Sequence, residues 1–227
     1  PWIGTLTKEM GRSAEKVVAI EIDKTLIPIL EETLADFPNI EVINQDILKV
    51  DLNNLIQQEN TQNYTVKIVA NLPYYITTPI VSKFVMETIP ANEIVIMIQK
   101  EVAERLSAPV GTKEYGQITV LLNYYFDIVK IIDVDRKAFY PTPNVDSAVI
   151  KMTRKNKLEE LTSFEHFDKL VKDSFQFKRK TIKNNLIKKY DLDVVSKVLE
   201  KYGYDLSMRS EKIPYYVFVE ISNELLK

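Results

Sequence analysis

The tetrapeptide Asn71-Leu72-Pro73-Tyr74 combines residue types that suit the alkylation of an exocyclic aromatic amine. The lone pair of such an amine is delocalised into its ring, so the nitrogen is a poor nucleophile. The amide oxygen of Asn71 and a backbone carbonyl at Leu72 or Pro73 would accept the two amine hydrogens and turn the lone pair outward. Pro73 stiffens the turn, and Tyr74 offers a flat face for a base. This chemistry needs positioning and electrostatics and no metal.

The same four residues are also compatible with an ordinary turn between a strand and a helix. In that interpretation Thr77 or Thr78 would be the helix N-cap. The pattern alone leaves both interpretations open.

Two other predicted strands end in acidic residues. Glu21 ends one strand, and a carboxylate at this place can accept the hydroxyl groups of a ribose. Asp23 precedes a predicted helix and is expected to cap it. Asp46 follows another strand and would accept an adenine amino group, with Ile47 against the ring, although a plain loop aspartate is the alternative.

The elements that position these residues follow from apolar periodicity. Strands are predicted at residues 17–22, 40–43, 66–70 and 94–98, with helices at 25–36, 52–59 and 78–87 between them. This alternation predicts a mostly parallel sheet covered on both faces, which binds ligands at the carboxyl ends of its strands. A helix at 118–126 and strands at 128–134 and 147–153 predict an antiparallel addition at the sheet edge.

The remaining chain is predicted to be helical. Residues 151–160 are charged and resemble a linker, and helices are predicted at 164–175, 181–190, 194–202 and 214–226. The sequence therefore predicts an α/β domain at residues 1–155 and a small all-helical domain at 156–227. Residues 1–150 carry a net charge of −7 and residues 151–227 a net charge of +5. This asymmetry suggests a polyanionic partner, and a solvated surface explains it equally well.

Composition excludes several classes of protein. Apolar residues make up 45% and charged residues 27%, as in soluble globular proteins, and neither a membrane span nor a signal peptide is predicted. There is no cysteine, and His166 is the one histidine. Disulfides, a thiol nucleophile, an ordinary zinc site and histidine-centred triads are excluded, unless a triad uses His166. We expect His166 to lie on a helix surface.

Asn71-Leu72-Pro73-Tyr74 after a hydrophobic strand resembles motif IV of RNA adenine-N6 methyltransferases. Residues 99–106 (QKEVAERL), 111–116 (GTKEYG), 139–147 (FYPTPNVDS) and 177–186 (FKRKTIKNNL) resemble further signatures of one family. The chain is thereby identified as a member of the small-subunit ribosomal RNA adenine dimethyltransferases. The matches run in family order from about Ile3 to Leu226.

The resemblance implies a Rossmann-like class I methyltransferase domain that uses S-adenosylmethionine. Its expected activity is conversion of two adjacent adenines near the 3′ end of 16S rRNA to N6,N6-dimethyladenine, within an immature small ribosomal subunit. A cytoplasmic monomer, with no metal and no membrane partner, is expected. The implied cofactor-binding residues are Gly4, Glu21, Ile22, Asp46, Ile47 and Asn71. The implied catalytic residues are Asn71, Leu72, Pro73, Tyr74 and Phe139, with Tyr74 and Phe139 on either face of a flipped adenine.

RNA binding is expected from residues 178–189, which hold six cations and no acid and are called the basic segment here. These cations would contact phosphates without reading sequence, and a solvated helix face is the alternative. The basic segment contains Lys178, Arg179, Lys180, Lys183, Lys188 and Lys189, and Arg209, Arg105 and Lys113 are further candidates. Phe139 is a candidate for core packing as well as for base stacking.

The N-terminus departs from the family pattern, in which a first strand ends in Glu-x-Gly-Pro-Gly-x-Gly. Pro1 matches the proline and Gly4 the last glycine, but Trp2 stands where a middle glycine belongs. We expect the chain to be a fragment that lacks the first strand, in preference to a protein that has lost its cofactor site. In either case this chain is expected to bind S-adenosylmethionine weakly or not at all, since the glycines let the backbone approach the cofactor and an indole obstructs that approach. The truncated chain is therefore expected to be inactive as it stands.

Two other functions compete with this prediction. A 23S rRNA adenine-N6 methyltransferase of the macrolide-resistance type shares Asn-x-Pro-Tyr. A non-catalytic RNA-binding factor of ribosome assembly would use the same scaffold without methyl transfer. Fold alone does not separate the three.

Overall fold

The computed structural model describes all 227 residues and divides into two compact units, Pro1–Ala91 and Asn92–Lys227. They are named here the N-terminal unit and the C-terminal unit. None of the helices is both long enough and apolar enough to span a bilayer.

The N-terminal unit alternates short helices and strands. Its elements are α1 (Thr5–Gly11), β1 (Val17–Glu21), α2 (Ile27–Thr33), β2 (Ile40–Asn44), α3 (Leu52–Glu59), β3 (Lys67–Asn71) and α4 (Thr77–Met86), with 3₁₀ turns at Lys24–Leu26 and Tyr74–Ile76. β1 and β2 are parallel, and Glu21 is in register with Asn44. The carboxyl ends of these two strands therefore lie side by side, which brings the residues that follow them to one edge. Leu30 of α2 and Phe84 of α4 are buried in this unit.

The C-terminal unit contains an antiparallel sheet and most of the helical residues. Its elements are β4 (Glu93–Gln99), α5 (Lys100–Leu106), α6 (Gln117–Tyr125), β5 (Phe126–Val134), β6 (Ser147–Arg154), α7 (Phe164–Ser174), α8 (Ile182–Leu186), α9 (Leu192–Lys201) and α10 (Tyr215–Glu224), with 3₁₀ turns at Arg136–Ala138 and Ser210–Lys212. β6 pairs antiparallel with β4 on one side and β5 on the other. Ile94, Ile96 and Ile98 alternate along β4 and are fully buried, so one face of this sheet carries the core.

β5 is the edge strand of this antiparallel sheet. Its pairing with β6 shifts register between Lys130 and Ile132, a β-bulge. Val129, Ile131 and Ile132 are exposed on the strand. Lys130 donates to Asp133 across this irregular stretch.

The residues after β6 form only helices, and they share a core with α6. The Tyr124 ring of α6 lies 5.6 Å from that of Phe167, and the Tyr124 hydroxyl donates to the Glu159 carbonyl over 2.9 Å. α7 and α10 both pack against α6. The compact units divide at 91/92, so a domain boundary at 155/156 stays a prediction.

Most predicted elements are confirmed to within two residues, including the two late antiparallel strands. Four details were wrong, one of them being that the helix predicted at 25–36 ends at Thr33. Residues 151–154 belong to β6 and not to a linker, because they complete the pairing with β4 and β5. The helix predicted at 181–190 ends at Leu186, and α1 was not predicted.

Gly4 begins α1 with a φ of +89°, in the left-handed region. A Cβ atom there would lie 3.2 Å from both Leu34 Cδ2 and Thr33 Oγ1. We expect Gly4→Ala to lower the free energy of unfolding by about 1–2 kcal/mol through the backbone alone, and by more because the neighbours must shift.

Gly203 is a matched control, with a φ of +76° and no atom within 4 Å of an added Cβ. Gly203→Ala should therefore show the backbone cost alone. Urea titrations of both variants measure the difference, and equal losses would contradict a packing contribution at Gly4.

Candidate active site

Asn71 is the last residue of β3, and its side chain is exposed at the carboxyl end of the strand. The chain then turns through Leu72, which is buried and anchors the turn, and the exposed Pro73. Tyr74 opens the 3₁₀ turn that leads into α4. The amide of Asn71 is thus presented at a strand end on a turn that is held from the inside by an apolar side chain.

The two candidate backbone carbonyls of this turn differ in availability. The Pro73 carbonyl accepts the Ile76 N–H and the Thr77 hydroxyl, each over 3.2 Å. The Leu72 carbonyl accepts no hydrogen bond within the chain. An incoming amine would therefore find acceptors at Asn71 and Leu72, while Pro73 serves to shape the turn.

The turn does not use a threonine N-cap. Ile76 occupies the N-cap position of α4 and no side chain caps the helix. Thr77 lies inside the helix, where its hydroxyl donates to the Pro73 carbonyl over 3.2 Å. The prediction that Thr77 or Thr78 is the helix N-cap was therefore wrong, although the segment is still a strand-to-helix turn. Tyr74 is half-buried, whereas its neighbour Tyr75 is 83% exposed.

Glu21 ends β1 with a carboxylate that is 9% exposed as a residue and well supplied with donors. Its Oε1 accepts the Asp23 N–H over 3.0 Å, and its Oε2 accepts the Trp2 N–H over 3.2 Å and lies 3.0 Å from the Pro1 ammonium. Burial alone would raise the pKa of Glu21, but the Asp23 N–H and the charged Pro1 amine lower it overall. The group is therefore an anion at neutral pH and retains acceptor sites for further donors.

Asp23 and Asp46 have separate local roles. Asp23 Oδ1 accepts the Thr25 N–H over 2.9 Å, which confirms the predicted cap. Asp46 is half-buried, and its Oδ1 accepts the Leu48 N–H over 3.0 Å, so its second oxygen remains available. Ile22 is exposed and Ile47 is half-buried, at the ends of two paired strands.

Trp2 has a φ of 56°, which L side chains rarely adopt. Its indole is 72% exposed. The backbone conformation at this position is one that glycine adopts without strain. It thus agrees with the glycine that the family pattern has there.

Phe139 lies in the C-terminal unit, directly after the 3₁₀ turn Arg136–Ala138, and is half-buried. Arg136 closes the loop that contains it: its N–H donates to Asp146 Oδ1 over 3.2 Å and its Nη1 donates to the Asn144 carbonyl over 2.9 Å. The Phe139 N–H donates to the Arg136 carbonyl over 3.2 Å. The loop is therefore held at both ends by one arginine.

The cations of the basic segment are exposed, and most of them lack an acidic partner. Lys189 pairs with Asp173, but Lys178, Arg179 and Lys183 form no salt bridge. Burial alone would raise the pKa of Asp173, but the hydrogen bonds from Lys189 and Tyr190 lower it overall. Lys189 is thus committed to the protein, and the earlier cations are open to a polyanion.

The outlying candidates differ from the basic segment. Lys113 is exposed and lies 3.9 Å from Glu114, and Arg209 lies 3.9 Å from Glu211. Arg105 is half-buried on α5. Neither Lys113 nor Arg209 is an unpaired cation, so both are weaker candidates for phosphate contact than Arg179 or Lys183.

His166 lies on α7, which confirms the predicted helix. Its side chain is half-buried, so the predicted surface position was wrong. Its Nδ1 lies 2.8 Å from the Ser222 hydroxyl of α10. Burial, with the nearby Lys169, lowers the pKa of His166. The neutral ring thus links two helices.

Comparison with known proteins gives a consistent result over the whole chain. The family described as "Ribosomal RNA adenine dimethylase" matches residues 1–227. The chain belongs to the ribosomal RNA adenine dimethylase family. Its sequence is 47% identical over 226 residues to ribosomal RNA small subunit methyltransferase A of Clostridioides difficile (strain 630), covering 98% of this chain and 78% of that protein. It is 41% identical over 232 residues to the protein of the same name from Bacillus mycoides (strain KBAB4), covering 100% and 80%.

Two solved structures show the fold of this adenine dimethylase family. A dimethyladenosine transferase from Plasmodium falciparum superposes with a TM-score of 0.77 at 27% identity, covering 96% of this chain and 85% of that one. The 23S rRNA methyltransferase ErmE superposes with a TM-score of 0.75 at 26% identity, covering 99% and 87%. The predicted α/β, Rossmann-like methyltransferase fold with additional helices is therefore confirmed.

Two residues of this adenine dimethylase hold segments that contain candidate site residues, and the sequence did not predict either of them. Arg136 closes the Phe139 loop, and the buried Asn185 holds the turn before the basic segment through bonds to Ser174 and Phe177. Asn185 lies in the matched segment 177–186. Its amide side chain among cations was the feature of the sequence that could have indicated a role for it. No feature of the sequence indicated the role of Arg136, because its hydrogen-bond partners are eight and ten residues away.

Proposed function

We propose that this protein methylates N6 of two adjacent adenines near the 3′ end of 16S rRNA, in an immature small ribosomal subunit. The observation that carries the proposal is the acceptor corner at the end of β3. There the exposed Asn71 amide stands next to a Leu72 carbonyl that no internal donor uses. Membership of the adenine dimethylase family supports adenine as the base, and the small-subunit relatives support the choice of RNA.

The corner would act by orienting the amine. The Asn71 oxygen and the Leu72 carbonyl each accept one N6 hydrogen, and the nitrogen lone pair then leaves conjugation with the ring. Tyr74 stacks on the extruded base, which contributes about 1–3 kcal/mol. We propose Phe139 as the second stacking residue, because the family resemblance implies this role. The rate would come from preorganised polar groups and from holding the nitrogen in line.

The cofactor proposed for this reaction is S-adenosylmethionine, which supplies an electrophilic methyl group on a sulfonium when bound. The donor set fits it in part. The ionised Glu21 carboxylate suits ribose hydroxyls, the second oxygen of Asp46 suits an adenine amine, and Ile22 and Ile47 offer apolar surface.

Trp2 is the departure within this set, and it leads to a prediction. We expect weak S-adenosylmethionine binding because an exposed indole stands where the family has a glycine. Trp2→Gly should bind the cofactor at least tenfold more tightly and should not lose stability, since a left-handed φ costs an L residue about 1–2 kcal/mol. Calorimetric titration measures the affinity.

Trp2→Ala is the control for this prediction, because it removes the indole and keeps the backbone restriction. Removal of the indole alone should recover part of the affinity. Micromolar binding by the unmodified protein would contradict the expected obstruction.

A 23S rRNA methyltransferase is the second candidate, because the ErmE structure covers 99% of the chain with a TM-score of 0.75. Sequence favours the small subunit: identity is 47% and 41% to the small-subunit enzymes and 26% to ErmE. We further propose that the protein is a monomer, and that it works in the cytoplasm because its bacterial relative is named as a ribosomal RNA methyltransferase.

The test uses tritiated S-adenosylmethionine with immature small subunits and, in parallel, with large subunits. Mapping should place label on two adjacent adenines near the 3′ end of 16S rRNA as N6,N6-dimethyladenine. Label in 23S rRNA would favour the second candidate. Subunit binding without label, by folded protein that binds the cofactor, would favour a non-catalytic assembly factor.

A further inference from the structure

Phe177 is an exposed aromatic residue immediately before the basic segment. It is 49% exposed, although nearby phenylalanines of the same helical region pack inside. Phe167 is fully buried, and the Phe175 ring lies 5.9 Å from Phe218 and 6.3 Å from Tyr115. The outward ring at Phe177 therefore differs from these neighbouring phenylalanines.

The backbone of Phe177 is fixed, so the exposed ring does not belong to a loose turn. Asn185 is buried, and its Oδ1 accepts the Phe177 N–H over 3.3 Å while its Nδ2 donates to the Phe177 carbonyl over 3.4 Å. The same Nδ2 donates to the Ser174 carbonyl over 2.7 Å. The Lys180 N–H donates to the Phe177 carbonyl over 2.9 Å. Both polar backbone groups of Phe177 are thus held by one buried amide.

The surroundings of the ring are strongly cationic. Lys180 Nζ lies 4.5 Å from the Phe177 ring centroid. Lys178, Arg179 and Lys183 are exposed and form no salt bridge. An aromatic face beside uncompensated cations is the combination that binds unpaired nucleic acid, because bases stack on the ring while phosphates meet the charges. One ring offers little apolar area for a protein partner, which favours RNA.

We propose that Phe177 stacks on an unpaired base of the ribosomal RNA, next to phosphates bound by the basic segment. This inference rests on the proposed function, since it takes ribosomal RNA as the partner. It adds a base-contacting residue to a segment whose cations contact only the backbone. In this proposal Phe177 positions the RNA and takes no part in methyl transfer. The base that it binds is therefore distinct from the target adenine.

The experiment compares Phe177→Leu, Phe177→Trp and the unmodified protein in anisotropy titrations. The probes are a 16S rRNA 3′-end fragment with its hairpin loop and a fully paired RNA duplex. Phe177→Leu should lose about 5- to 150-fold in affinity for the hairpin fragment, the range given by loss of one base–aromatic stack. Its affinity for the duplex and the salt dependence should stay unchanged. Phe177→Trp should bind within threefold of the unmodified protein.

Tyr64→Leu is the matched control, because Tyr64 is exposed to a similar degree but lies in the N-terminal unit. It should change neither affinity, and circular dichroism should show that all variants are folded. Equal affinity of the leucine and tryptophan variants for the hairpin fragment would overturn the stacking proposal. Absence of methylation by folded protein that binds the cofactor would instead refute the proposed function, because the binding titration does not depend on activity.

Discussion

Asn71→Ala is expected to lower kcat for adenine methylation by on the order of 10²–10³-fold, the usual cost of removing one preorganised polar group from a reacting centre. The variant keeps the Leu72 carbonyl but loses the second acceptor, so the N6 lone pair stays conjugated with the ring. Folding should be unaffected, because the Asn71 side chain is exposed at a strand end. Single-turnover assays with saturating RNA and cofactor measure the chemical step directly.

Asn54→Ala controls for this experiment, since Asn54 is an exposed asparagine on α3 that has no proposed role. Its rate should equal that of the unmodified protein. Asn71→Asp tests whether an acceptor oxygen is sufficient when a negative charge is added. It should retain more activity than Asn71→Ala, because one carboxylate oxygen still accepts a hydrogen bond. A rate for Asn71→Ala within threefold of the unmodified protein would remove Asn71 from the mechanism.

The second large effect concerns three unpaired cations of the basic segment. The triple variant Lys178→Ala, Arg179→Ala, Lys183→Ala should bind 16S rRNA at least tenfold more weakly in low salt. Each phosphate contact contributes about 0.7–0.9 to the slope of log affinity against log salt concentration, so the slope should fall by about 2–3. Filter-binding titrations at several salt concentrations measure both quantities.

The control is a triple alanine variant of three exposed lysines in the same helical region, Lys172, Lys197 and Lys227. It makes the same change in net charge, so it tests whether position or total charge matters. An equal loss of affinity in both triple variants would show that the basic segment has no special role and that a general positive field binds the RNA.

The sequence was sufficient for those parts of the site that depend on local order along the chain. Asn71 and Glu21 were expected at strand ends because each follows an apolar β-rich run, and the structure places both there. The Asp23 cap was predictable for the same reason, since an N-cap bonds to backbone only two or three residues away.

The parts that the sequence did not predict depend on contacts between separated residues or on competition for one acceptor. The sequence did not distinguish the Leu72 carbonyl from the Pro73 carbonyl as the second acceptor for the amine. In the structure the Thr77 hydroxyl donates to the Pro73 carbonyl, which leaves the Leu72 carbonyl. The clamp by Arg136 and the early end of α8 likewise follow from tertiary packing. Helical periodicity alone continues past Leu186, but the chain turns there.

The bulge in β5 has a consequence for how this protein meets other chains. A strand at the margin of a sheet presents free N–H and C=O groups that can recruit a foreign strand. Here the register shift at Lys130/Ile132 divides a nine-residue strand into two short pieces. A foreign strand would lose alignment after about four residues, and bulges of this kind are one way in which proteins blunt an exposed edge. We therefore expect the bulge to hinder strand addition at the apolar margin of Val129, Ile131 and Ile132, whose side chains are exposed.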